Sequence, residues 1–259
     1  MVGKILVDEG TMGTKIKDDG RPMVSQINRL AVLQPSYLPW LGYFEQMARS
    51  DQFIFLDDVQ FTRRDWRNRN KIRTKDGWAW LTVPVEQKNR YTQLLKETRI
   101  DNSTNWNKKH CEAIRLNYSR APFFETYYPY FESVYGKQWE FLLDLCYETT
   151  GYLKEVLNIN TETSRSSDIT VKGAKAELIV NLCQQFNATH YLSGNKARDY
   201  LTAEDFSQRG IILEYQEYDH PSYLQRYSGF VPNLSLIDLL FNIGDKSLEV
   251  IMEPITKQN

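Results

Sequence analysis

Arg63, Arg64, Arg67, Arg69, Lys71, Arg73 and Lys75 crowd one short stretch, with Trp66, Asn68 and Asn70 between them. A guanidinium fork matches two phosphate oxygens at once, and an indole face can stack on a base. A solvated basic loop paired with surface carboxylates has the same composition. Position favours binding, because the cluster directly follows the apolar run Phe53-Ile54-Phe55-Leu56 and the pair Asp57-Asp58. Arg64, Arg67, Arg69 and Lys71 are the candidate phosphate grip, flanked by Trp66 and Asn68. Neighbouring strand residues point to opposite faces, so at most one of Asp57 and Asp58 enters a pocket directly. The other caps the turn. Asp58 is the candidate for orienting an amine. One Asp-Asp pair is too thin a signal to assign a metal.

A general base that works near neutrality points to histidine, and the chain has three. His220, in Tyr218-Asp219-His220-Pro221-Ser222-Tyr223, ranks first, with Asp219 as its orienting partner. His110 ranks second, and His190 opens a strand and reads as structural. His110 and Cys111 are neighbours on a helix and cannot face each other, which disfavours a Cys–His nucleophile. Ser193-Gly194-Asn195-Lys196-Ala197-Arg198 is a strand-to-helix turn whose free N–H groups suit an anion, making Ser193, Gly194 and Arg198 candidate contacts. It lacks the glycine and Lys-Ser/Thr spacing of a P-loop. A plain helix start capped by Ser193 or Asn195 explains the same residues.

These groups need a scaffold that gathers them. Gln34-Pro35-Ser36-Tyr37-Leu38-Pro39-Trp40-Leu41-Gly42-Tyr43 lies between Leu30–Leu33 and Phe53–Asp58. A strand, a turn, a helix and a strand in roughly thirty residues make a βαβ unit, whose first turn sits at the carboxyl edge of a parallel sheet. Ligands bind there. Gln34, Tyr37 and Trp40 are the candidate wall, although Trp40 packed into the core is the competing reading.

Further along, strands are expected near 52–57, 78–85, 161–165, 190–192 and 211–215, with a basic loop between the first two. Helices are expected at 41–50, 104–157, 173–186 and 235–252. The alternation predicts an α/β fold, a mainly parallel Rossmann-like sheet with a helical insertion near 104–157. Residues 1–29 read as a weakly ordered extension, and 30–259 as one domain.

Bulk properties narrow the classes. A net charge of −1 argues against a general nucleic-acid binder. Three cysteines without metal or C-x-x-C spacing suit reduced thiols. No apolar run reaches the ~18 residues of a membrane span and no signal-peptide pattern opens the chain, so a cytoplasmic location is expected. The 16 Tyr, 12 Phe and 6 Trp leave room for a homodimer face.

Several separated motifs, in order, resemble the WbqC-like family: QPSYLPWLGYF (34–44), FLDDVQFTRRDWRNRNKI (55–72), WLTVPV (80–85), YLSGNKARDYL (191–201), HPSYLQ (220–225) and LSLIDLLFNIG (234–244). The resemblance runs from about Leu30 to Ile251. It implies a place in surface-polysaccharide, notably O-antigen, biosynthesis, with glycine transfer onto an amino sugar suggested for the family's namesake. Tyr223 and Gln225 join the candidate contacts as residues of the HPSYLQ motif. The layout also resembles nucleotidyltransferases and class I synthetases, but those place two histidines in the first turn, where this chain has Ser36-Tyr37 and Trp40-Leu41-Gly42.

The expected function is aminoacyl transfer onto the amine of a nucleotide-linked amino sugar. His220 would be the base, and the donor an amino acid activated with ATP and Mg²⁺, an aminoacyl-tRNA or a carrier thioester. A nucleotidyltransferase or adenylating enzyme, and a non-catalytic nucleotide-sugar-binding or scaffold protein, stand beside it.

Overall fold

The computed structural model of the chain describes residues 26–87 and 92–253; most of the expected N-terminal extension lies outside them. The fold is α/β. Strands β1 (Arg29–Leu33), β2 (Gln52–Phe55), β5 (Glu162–Arg165), β6 (His190–Ser193) and β7 (Ile212–Tyr215) form one five-stranded sheet in the order β5-β2-β1-β6-β7. Every pairing in it is parallel. β1 begins at Arg29, one residue before the expected boundary. Its guanidinium pairs with Glu214 of β7 at 2.7 Å.

Both faces of the sheet are covered, as a parallel sheet requires. Alternation along β1 and β2 sends side chains to opposite sides. Ala31 and Phe53 join one core with Leu41, Phe44 and Met47 of α1 (Leu41–Ala48). That core extends into α2 (Trp106–Tyr118), α3 (Phe124–Gly136), α4 (Leu142–Val156) and α7 (Leu236–Ile243). Leu30, Val32 and Ile54 face a second core with Ile179, Val180 and Cys183 of α5 (Ala176–Gln185) and Phe206 of α6 (Ala203–Ser207). Helices α2 to α4 are the expected insertion. The expected block at 235–252 divides into α7 and α8 (Ser247–Met252).

The expected basic loop is not a loop throughout. Arg69–Thr74 is a strand, β3, paired antiparallel with β4 (Gly77–Thr82) in a separate hairpin. The strand expected over 78–85 ends at Thr82, and the one expected over 52–57 ends at Phe55. β3 exists because alternate residues face inward: Ile72 is buried, and buried Asn70 donates to the Leu38 carbonyl at 2.6 Å. Among the described residues no helix is long and apolar enough to cross a membrane.

Candidate functional site

The strand order sets the site. β1 connects through α1 to β2 on one side, whereas the chain later crosses to β6 on the other. The switch point therefore lies between β1 and β6, where the loops diverge and leave a crevice at the carboxyl edge. The turn after β1 is the one carrying Gln34, Ser36 and Trp40.

That turn is stapled to the basic segment. Arg67 donates to the Gln34 carbonyl at 3.0 Å and to Ser36 Oγ at 2.9 Å, and its own carbonyl accepts from Tyr37 N–H. Arg67 is therefore a positioning residue of the turn and not a free phosphate ligand. Asn68 is also committed, donating to the Val83 carbonyl at 2.7 Å. Gln34 Oε1 is buried just after β1 without a partner among the described residues. The Trp40 ring lies across Gly42, where an added Cβ would stand 2.4 Å from two of its atoms. Gly42→Ala is expected to displace the indole and cost ~1–3 kcal/mol, read as a lowered urea midpoint with a changed near-UV circular dichroism.

His220 sits against Trp40. The rings stack at 6.5 Å, and Tyr218, Tyr223 and Phe230 complete an aromatic box. His220 Nδ1 lies 2.8 Å from the Pro221 carbonyl. A carbonyl only accepts, so Nδ1 carries the proton and Nε2 keeps its lone pair. Among the described residues Nε2 is buried without a partner, as is the Tyr218 hydroxyl. Burial pulls the His220 pKa below the ordinary imidazole value, against the main-chain carbonyls, so the ring is neutral at pH 7. The orienting acceptor is the Pro221 carbonyl; exposed Asp219 was the expected one.

Other candidates are engaged elsewhere. His110 Nδ1 lies 2.9 Å from Tyr37 Oη, which also contacts Tyr135 Oη. All three are buried, and burial depresses His110 to about 4 despite the Thr82 main chain. This cluster locks the first turn onto α2, so neither His110 as a base nor Tyr37 as a ligand wall holds.

Asp57 is buried and accepts from Tyr147 Oη, Ser167 N–H and Ser167 Oγ at 2.7–2.8 Å. Burial opposes its charge, but the Ser167, Tyr147 and Ser166 donors win and hold its pKa below the usual carboxylate value. Asp57 thus ties the end of β2 to the segment after β5 and is no ligand contact. Ser166 Oγ stands 2.5 Å from Asp58 Oδ1 and 2.9 Å from Asp57 Oδ1. Asp58 is half-buried there. Asp57→Ala is expected to cost ~3 kcal/mol by stranding those donors, measured by urea unfolding at pH 7. The Asp57 contribution is present above the unfolded carboxylate pKa and fades as pH falls through its lower native value.

Tyr223 and Gln225 point to a residue that carried no expected role. Tyr223 Oη, Gln225 Nε2 and Tyr118 Oη all donate to Asp238, fully buried on α7, at 2.9–3.0 Å. The same Tyr118 hydroxyl accepts from Arg73 N–H. Burial pushes Asp238 up to about 6, with the three donors and Arg73 acting against the shift. Buried Arg73 gathers the carbonyls of Ser228 and Gly229 at 2.7 and 2.8 Å, which fixes the loop carrying Phe230. Through its ring, Tyr223 still borders His220.

The turn after β6 forms a five-residue 3-10 helix, Asn195–Asp199. Ser193 is buried, and its hydroxyl stands 3.5 Å from the Gly194 carbonyl. Arg198 stacks on Tyr215 and stands 3.8 Å from Glu217. No side chain caps that short helix. Two surface depressions, about 440 and 540 Å³, are lined by Gln60–Arg63 and by residues such as Arg99, Asp101 and Glu140. Neither includes His220. The unpartnered buried atoms beside Trp40 are the stronger pointer to a site, because a buried polar atom without a partner calls for one.

Arg69, Lys71 and Trp66 do come together, on the outer face of the β3–β4 hairpin, with Trp78 and Trp80. Lys71 Nζ stands 4.3 Å from the Trp78 ring, 5.3 Å from Trp80 and 5.7 Å from Trp66. The Arg69 guanidinium lies 4.3 Å over Trp80. Arg64 is exposed, and its carbonyl accepts from Arg69.

The pattern of the WbqC-like protein family matches residues 34–250. The uncharacterized protein Rv1507c of Mycobacterium tuberculosis is 40% identical over 220 residues, covering 84% of this chain and 95% of that protein. No solved structure gives a significant match. With the match spanning the first turn, the hairpin and the His220 and Asp238 segments, the chain belongs to the WbqC-like protein family.

Proposed function

We propose that the protein is a cytoplasmic transferase of surface-polysaccharide biosynthesis, moving an aminoacyl group such as glycyl onto the amine of a nucleotide-linked amino sugar. The single observation that carries the reading is His220 Nε2, an unprotonated, unpartnered base held in an aromatic box beside the first turn. Family membership, linked to polysaccharide biosynthesis, supports the pathway.

In the proposed reaction the neutral amine attacks the activated carbonyl and a C–N bond forms. His220 Nε2 takes the amine proton. The bond from the carbonyl carbon to the leaving group then breaks, and the proton passes from His220 to that group. Tyr218 Oη, unpartnered beside the imidazole, is the available donor for the developing oxyanion. The Trp40, Tyr223 and Phe230 rings exclude water around the base.

The test supplies glycine as free amino acid with ATP and Mg²⁺, as glycyl-tRNA and as a carrier thioester, each with a panel of nucleotide-linked amino sugars. Mass spectrometry should find a glycyl amide on one acceptor with one donor. Release of pyrophosphate from a sugar phosphate and ATP, with no amide, would move the reading to a nucleotidyltransferase.

A further inference from the structure

The outer face of the hairpin has a chemistry of its own. β3 and β4 pair Lys71 with Trp80 and Arg73 with Trp78, so strand alternation puts Lys71, Trp78 and Trp80 on one side. Trp66, ahead of β3, closes the group: its ring centroid is 5.2 Å from Trp80, and Trp80 is 5.7 Å from Trp78. Three indoles in contact with water are costly to leave uncovered, and Trp78 is 46% exposed.

The cations there are unmatched. Among the described residues Arg64, Arg69 and Lys71 have no carboxylate partner, while nearby Asp65 is taken by Trp66 N–H and Arg67. Arg69 Nε is buried without a hydrogen bond. Stacking on the rings holds Lys71 and Arg69 in place without neutralising them, and so leaves them preorganised for an anion. A surface of this make-up fits a ligand that joins a flat π-system to closely spaced phosphates. A net charge of −1 for the chain does not favour a long polyanion.

We infer that the Trp66–Trp78–Trp80 face, with Arg64, Arg69 and Lys71, is a seat for a nucleoside diphosphate unit, the base stacking on exposed indole and the phosphates meeting the three cations. The inference rests on the transferase reading only in naming the unit as the nucleotide half of its acceptor. The hairpin is tied to the first turn by Asn70 to Leu38 and by Arg67 to Gln34, and Ser235 N–H donates to the Lys71 carbonyl while pairing with Trp40. The seat and the His220 box therefore share one rigid frame.

The test titrates the full chain with UDP, ADP and GDP, reading tryptophan fluorescence and thermal shift, against Trp78→Ala and Lys71→Met. Trp78 is half-exposed, so its removal leaves the fold intact. One of the diphosphates should quench fluorescence and raise the melting temperature, with affinity falling at least about tenfold in each variant. The corresponding nucleoside should bind more weakly still. Binding lost in Trp78→Ala upholds the seat even where no aminoacyl transfer is ever detected. Transfer that proceeds with undiminished nucleotide affinity in both variants overturns the seat and leaves the transferase reading standing. Tight, steeply salt-dependent binding of a single-stranded RNA oligonucleotide, with no binding of any diphosphate, overturns it in favour of an RNA surface.

Discussion

Replacing His220 with alanine is expected to lower turnover ~10²–10⁴-fold, the range for losing a positioned general base. Affinity for the nucleotide-linked acceptor should stay within about threefold, since the imidazole acts on the reacting amine while other groups hold the ligand. Four rings surround His220, so alanine also leaves a void, and a packing defect could imitate a catalytic one. His220→Asn separates the two, because its amide can still donate to the Pro221 carbonyl but offers no basic nitrogen. Equal loss of turnover in both variants, with His220→Asn melting near the wild type, identifies the lone pair on Nε2 as the missing element. The wild-type rate should fall off on the acid side below the ordinary imidazole pKa, following the downward shift of the buried ring. Turnover unchanged in either variant would remove His220 from the mechanism.

The second large effect concerns stability and pH. Asp238→Ala strands the Tyr118 and Tyr223 hydroxyls and the Gln225 amide in the interior, at ~1–3 kcal/mol each. Against a typical total stability of roughly 5–15 kcal/mol, that variant is expected to be largely unfolded at physiological temperature. The milder Asp238→Asn exposes an opposition between two buried groups. Asp238 has its native pKa raised to about 6, so between pH 4 and 6 the folded state holds its proton more firmly than the unfolded chain, and stability falls as pH rises. His110 is depressed to about 4, so over nearly the same window the unfolded chain binds the extra proton and stability rises with pH. These two slopes oppose each other in the wild type. Asparagine removes the first and leaves the second, together with the same-signed contribution of His220. The variant should therefore lose ~3 kcal/mol between pH 6.5 and 4, where the wild type changes by much less. Urea unfolding at five pH values decides it. A variant whose stability falls no more steeply than the wild type's would show that Asp238 ionises normally.

The centre of the parallel sheet was legible because β1, β2 and β6 are largely apolar runs broken by turn residues. Leu30–Leu33, Phe53–Phe55 and Tyr191-Leu192 could be little else. β3 hid because Arg69-Asn70-Lys71-Ile72-Arg73-Thr74 has one apolar side chain to mark its inner face. Its inner Asn70 is satisfied by a carbonyl from a distant turn, which no local pattern announces. The missing hairpin hid the indole face as well: Trp78 and Trp80 alternate in the sequence, but only the register with Lys71 and Arg73 sets them beside the cations. His220 could be ranked by its place after the last strand, whereas its ring partners come from three separate stretches. Asp238 had a readable signal, a lone carboxylate inside Leu236-Ile237-Asp238-Leu239-Leu240. Its partners Tyr223 and Gln225 were read toward ligand instead, because polar residues in a motif say nothing of which way they face.

The order β5-β2-β1-β6-β7 also shapes how the chain is made. Central β1 is synthesised before the rest of its sheet, and β2 soon covers one of its edges. The other edge waits for β6: Asn28 and Thr189, which hydrogen-bond beside that seam, are 161 positions apart. At ribosomal elongation rates of about 5–20 residues per second the wait is on the order of ten seconds, far longer than α2 to α4 need to form. Nascent chains stalled before residue 190 should therefore present an apolar, unpaired strand edge and recruit chaperones. Chains released after β7 should not.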